Sequence, residues 1–102
     1  MGANRLAKGI NSSLEEDIYS VPELMVTIIK SISFTNTSDT DITFSFLLDN
    51  IPLISEETIQ PNETLSKTMF DHLLKENETV SIKVDEIDSL NFYITGKERP
   101  ID

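Results

Sequence analysis

Few side chains in this sequence can do chemistry. His72 is the single histidine in 102 residues, and cysteine and tryptophan are absent. A Ser-His-Asp relay needs an imidazole that a carboxylate orients toward a serine hydroxyl. Asp71 precedes His72, but adjacent side chains seldom face one another, and no serine sits in a glycine-framed nucleophile elbow. His72 is expected at a loop or a helical turn. Asp39 with Asp41, and Asp85 and Glu86 with Asp88, offer the oxygen ligands that calcium takes. Neither stretch has the further ligands, mid-loop glycine and closing glutamate of an EF-hand, and turn chemistry with solubility accounts for both. Paired carboxylates also serve glycosidases, yet among 18 acids such pairs arise by chance. The sequence therefore predicts no catalytic residue, no cofactor and no metal site, and a chain that is not an enzyme. Asn11, Asn36, Asn62 and Asn77 each open an Asn-x-Ser/Thr triplet, which is expected to reflect turn composition.

Charge narrows the partners. The formal net charge is −10, from 18 acids and 8 bases. Such a field repels phosphate backbones and anionic lipid, so neither a nucleic-acid nor a membrane partner is expected. The charge is uneven: Arg5 and Lys8 fall in the first ten residues, and the acids begin at Glu15. No apolar run approaches the length of a membrane helix. No apolar run follows Arg5 and Lys8, so a secretion signal is not expected. Myristoylation at Gly2 would want Ser or Thr where Leu6 stands.

The elements that must position these residues are short strands. Residues 1–17 show no periodicity and predict an extended arm that folding does not need. Ile18, Tyr19 and Val21 make a β-like run ended by Pro22, which suits an edge strand or a docking segment. MVTIIKSISFT (25–35) predicts the best strand, with Val26, Ile28, Ile32 and Phe34 on one face. Lys30 falls on that apolar face by strict alternation, so a bulge is expected near Ile29 and Lys30. DITFSFLL (41–48) alternates cleanly, with Ile42, Phe44, Phe46 and Leu48 on one side, and predicts a hairpin with the preceding strand. IPLI, interrupted by Pro52, residues 57–60 and residues 64–69 predict further short strands. FDHLLK (70–75) breaks the alternation and predicts a helical turn. TVSIKV (79–84) and LNFYIT (90–95) predict the last two strands. Seven or eight short strands spaced about 8 to 12 residues apart, with little helix, indicate an all-β antiparallel sandwich, Ig-like or jelly-roll-like. The expected division is an arm at 1–17, a sandwich at 18–97 and a flexible tail at 98–102.

The order of these pieces resembles a type of small β-sandwich protein found among the structural proteins of tailed bacteriophages. The resemblance rests on Ala3-Asn4-Arg5-Leu6-Ala7, then Tyr19-Ser20-Val21-Pro22, then a strand ending in the Asn36-Thr37 turn, and a last strand closed near Gly96. Residues 3–8, 19–22 and 30–37 carry it best. The turn before the penultimate strand usually holds glycine in that family, whereas here it is Glu76-Asn77-Glu78. Asparagine supplies the left-handed conformation at modest cost. The resemblance implies a virion component of the capsid, neck or tail, made in the bacterial host cytoplasm. Its partners would be other virion proteins and further copies of itself. The basic arm is then the expected docking element, with Asn4, Arg5, Leu6 and Lys8, joined by Tyr19, as partner-binding residues. The alternative is a module that grips a host-surface glycan or protein.

Overall fold

A computed structural model describes residues 4–68 and 71–101. Nine strands are formed among these residues: β1 (Asn4–Ile10), β2 (Glu15–Ser20), β3 (Met25–Asn36), β4 (Ile42–Leu48), β5 (Ile51–Ile59), β6 (Thr64–Lys67), β7 (His72–Leu74), β8 (Thr79–Val84) and β9 (Leu90–Pro100). They make two antiparallel sheets. The first runs β1-β9-β3-β6, with β7 also paired to β3, and the second runs β2-β8-β4-β5. Successive strands alternate between the sheets except at the β4–β5 hairpin and at β6–β7, and the last strands return beside the first. This is the double Greek key of a jelly roll, with β6 and β7 sharing the lane of one strand.

The core follows from alternation. Phe44 and Phe46 of β4 face Phe34 of β3 across the gap, with ring centroids 4.9 and 5.3 Å apart. Ile32, Ile42, Val80, Ile82, Leu90 and Ile94 complete a dry layer between the sheets. The bulge expected on β3 is present, as a register shift between Ile29 and Ser31 against β9. It reverses the phase of the strand. Ile29 and Thr27 point inward before it, and Ile32 and Phe34 after it. Val26 and Ile28 therefore lie outside the core face assigned to them by simple alternation.

Other expectations are corrected. β3 and β4 do not pair as a hairpin, because they lie in opposite sheets and meet face to face. Asn36 turns the chain between them, its buried amide donating to the carbonyls of Thr40 (2.8 Å) and Ile59 (3.0 Å). His72–Leu74 is a strand and not a helical turn; it pairs with Thr27–Ile29. Residues 69 and 70, where the expected strand 64–69 ends and the expected turn begins, lie outside the described residues.

The expected N-terminal arm is also corrected. Asn4–Ile10 is the edge strand of the first sheet, in register with Asn91–Gly96 of β9. Glu15–Ser20 is the edge strand of the second sheet, beside β8. Between them Asn11 is fully buried. Its Oδ1 accepts from the backbone N–H of Ser89 and Leu90, both at 2.9 Å, and its Nδ2 donates to the carbonyls of Glu86 (2.9 Å) and Ser13 (3.2 Å). Edge strands contact the fold on one side only, so a sparse apolar pattern suffices for them. The expected tail is shorter than 98–102, since β9 continues to Pro100 and Ile101 N–H donates to Leu24 O at 2.8 Å.

Candidate interaction surface

The expected partner-binding residues divide three ways. β1 carries a bulge between Arg5 and Ala7. Arg5 and Lys8 are three residues apart, which in a regular strand would send them to opposite faces. The bulge corrects the phase: Arg5 pairs with Thr95 and Lys8 with Tyr93, so both lie on the outer face of the first sheet. Leu6 points the other way. It is half-buried against the core, and a methyl group added at Gly96 would come within 2.8 Å of its Cδ1 and 2.2 Å of Ile28 O. Gly96 is thus the only residue type that lets β1 and β3 close on β9 at this point. Asn4 is exposed at the start of β1, opposite Gly96.

Tyr19 is not brought to this face. It projects from β2 of the second sheet to the first, where its hydroxyl is 2.8 Å from Thr27 Oγ1 and donates to the Glu98 carboxylate. Burial, and then the hydrogen bond to Glu98, push its pKa up to about 12. It acts as a strut between the sheets, and its phenol is engaged within the chain.

Assigning charges to strands shows a separation that composition hides. The strands of the first sheet carry six cations and one carboxylate, Glu98, and that carboxylate is the partner of Tyr19. The strands of the second sheet carry five carboxylates and one cation, Lys83. Lys97 and Arg99 pair with Ile28 and Val26, on the same outer face as Arg5 and Lys8. The strands place no carboxylate beside these four cations on that face, and Asp71, just before β7, is paired with Lys30 on the same sheet. Seryl and threonyl hydroxyls fill the space between the cations, linked across strands as Ser33–Ser66 (3.2 Å) and Thr35–Thr64 (2.7 Å).

A second feature is apolar. The chain reversals at 21–24, 49–50 and 75–78 meet at one end of the sandwich, where Val21 N–H donates to Glu78 O and Asp49 N–H to Thr79 O. Leu24, Ile51, Leu53, Leu73 and Ile101 are all exposed around this end, Leu24 by 70%. A hollow of about 270 Å³ opens between β5 and β7 there, lined by Ile51, Leu53, Leu73 and Leu74 among others. Leu24 also has a φ of 63°, a left-handed conformation that is rare for a bulky side chain. Sequence reasoning missed this end because its residues lie in four separate segments.

Three of the carboxylates considered for chemistry are occupied with structure. Asp71 binds Lys30 Nζ at 2.6 Å, on the bulge of β3. Asp85 Oδ1 accepts from Thr43 N–H (3.1 Å), and Glu86 accepts from the Thr40 hydroxyl (3.1 Å). Among the described residues no three His, Asp or Glu side chains gather into a metal-binding group.

The fold is that of a jelly-roll β-sandwich, and several solved structures resemble it. The cyanophage Pam1 capsid asymmetric unit matches over 94% of this chain and 86% of its own, at 14% identity and a TM-score of 0.51. The tobacco streak virus coat protein matches over 99% and 86%, at 13% identity and a TM-score of 0.49. The GH26-CBM35 β-(1,4)-mannanase of Podospora anserina matches over 98% of this chain but only 26% of its own, at 12% identity and a TM-score of 0.46. No family model and no curated protein matches the chain.

Proposed function

We propose that this chain is a non-enzymatic structural subunit of a tailed-phage virion, one that joins its neighbours through the apolar end and the free edges of the sandwich. The observation that carries this reading is the gathering of Leu24, Ile51, Leu53, Leu73 and Ile101 at one end of a chain with a net charge of −10. Exposed apolar side chains gathered in this way favour contact with another macromolecule. The left-handed Leu24 strengthens the reading, because a strained backbone is retained where function needs the side chain presented. The jelly-roll fold shared with a cyanophage capsid structure along nearly all of both chains supports the same setting. So does the order of the Asn4-Arg5-Leu6, Tyr19-Ser20-Val21-Pro22 and Asn36-Thr37 segments. β1 retains a docking role in this reading, as an edge whose outer backbone groups are open to a neighbouring strand.

The test is association of the purified chain, followed by sedimentation velocity, together with mass spectrometry of purified particles. The wild-type chain is expected to self-associate or to bind particles lacking it. The double variant Leu24→Asp, Ile51→Asp is expected to remain monomeric with its thermal midpoint unchanged, since both side chains are already in water. A variant that associates as well as wild type would remove the apolar end from assembly. Absence of the chain from particles would remove the virion reading itself.

A further inference from the structure

The outer face of the first sheet carries a charge pattern that the apolar end does not explain. In a chain with 18 acids, Arg5, Lys8, Lys97 and Arg99 share one sheet face, and the nearby carboxylate Asp71 is engaged by Lys30, so this face favours anionic over cationic ligands. Toward the Ile10–Asn91 end of this face is a shallow hollow of about 460 Å³, lined by Lys8, Ile10, Ser33, Thr35, Asn91 and Tyr93 among others. That volume falls within the range of small-ligand sites. Tyr93 is 46% exposed and lies between Lys8 on β1 and Ser33 on β3 in cross-strand register. Its ring therefore stands on the floor of the hollow as an apolar platform bordered by an ammonium group, an amide and hydroxyls.

We propose that this hollow binds an acidic saccharide, a glycan bearing uronate carboxylates. The chemistry of each group fits that ligand. An aromatic ring takes the apolar C–H face of a pyranose. Lys8 pairs with a uronate carboxylate, and Arg5, two cross-strand pairs further along β1, pairs with the next sugar's carboxylate. Ser33 and Thr35 are bonded to Ser66 and Thr64, which orients them, but each hydroxyl keeps acceptor capacity for a sugar O–H. Asn91 supplies both a donor and an acceptor. A nucleic acid satisfies the cations equally well, but the chain's net charge of −10 repels a long polyanion. A short acidic glycan contacts only the basic face.

The proposal is tested by titrating the full chain with tetragalacturonate, and separately with maltotetraose and with oligo-dT, by calorimetry and by backbone NMR shifts. Saturable binding of tetragalacturonate is expected, with the largest shifts at Lys8, Asn91 and Tyr93. Maltotetraose is expected to bind at least about tenfold more weakly, since it lacks the carboxylates. Tyr93→Ala is expected to weaken tetragalacturonate binding by about tenfold. Lys83→Ala, which removes the same charge from the opposite sheet, is expected to leave it unchanged. The proposal is overturned by absence of saturable tetragalacturonate binding, by shifts centred away from this face, or by equal or tighter binding of oligo-dT. Unchanged affinity in a folded Tyr93→Ala variant overturns it as well, and the wild-type shift map decides the matter should that variant not fold.

Discussion

At the scale of single residues, this chain spends its polar groups on architecture. Asn11 and Asn36 are both fully buried, and their side chains hold the reversals at one end of the sandwich in place of backbone pairing. Truncating such a side chain strands buried N–H groups, at about 1–3 kcal/mol for each. Tyr19 holds the other end by joining the sheets through Thr27 and Glu98. Tyr19→Phe is expected to lower stability by about 1 kcal/mol at neutral pH. The same hydroxyl gives a pH signature. Its folded pKa is raised to about 12, above the roughly 10 of a free phenol. The folded state therefore keeps a proton that the unfolded chain releases. The stabilisation is complete below about pH 10 and is lost as pH rises toward 12. Urea midpoints measured from pH 8 to 11 should fall more steeply for wild type than for Tyr19→Phe. Parallel profiles would show that the Glu98 contact does not survive in solution.

At the scale of elements, the strands with two neighbours were legible, β2, β5 and β6 at the edges were read in part, and the edge strand β1 was not. β4, β8 and β9 alternate because both sides of each are paired and one face is buried, and the bulge at Ile29–Lys30 showed itself as a charge on an apolar face. Alternation states which side chains go inward but not which strand lies alongside. That is why β3 and β4 suggest a hairpin when they in fact pack face to face. β1 hides for another reason. Leu6 and Ala7 straddle a bulge, so NRLAKGI has no period to detect, and the odd spacing of Arg5 and Lys8 conceals their shared face. Of the five expected partner-binding residues, Arg5 and Lys8 do share an exposed surface, while Leu6 and Tyr19 are directed into the fold. Removal of residues 2–10 should therefore abolish cooperative unfolding and collapse the dispersed amide spectrum, because it bares the edge of β9 and uncovers Phe92 and Ile94, which pair with Gly9 and Ala7. A truncated chain that kept a dispersed spectrum would restore residues 2–10 to the status of an appended arm.

At the scale of the molecule, charge and apolar surface make opposite demands on assembly, and salt separates them. Extents of 47 × 24 × 19 Å are comparable to the screening length of about 30 Å at 0.01 M salt, where each copy feels most of its neighbour's net charge of −10. Like-charged copies then repel whichever surfaces they present. At 1 M salt the screening length falls to about 3 Å, and that repulsion is confined to groups in contact. Burial of Leu24, Ile51 and Leu73 loses nothing to screening, because the gain comes from removing apolar surface from water. Association through the apolar end should therefore strengthen with sodium chloride. Contact between the cation-rich first sheet of one copy and the carboxylate-rich second sheet of the next would weaken instead, since its attraction is screened. Sedimentation velocity across 0.01 to 1 M sodium chloride distinguishes the two. The concentration at half-association is expected to fall as salt rises, and to stop responding once Leu24 and Ile51 are both aspartate. A rise with salt would transfer the assembly contact from the end of the sandwich to its faces, and Lys8 and Arg99 would become the residues to change.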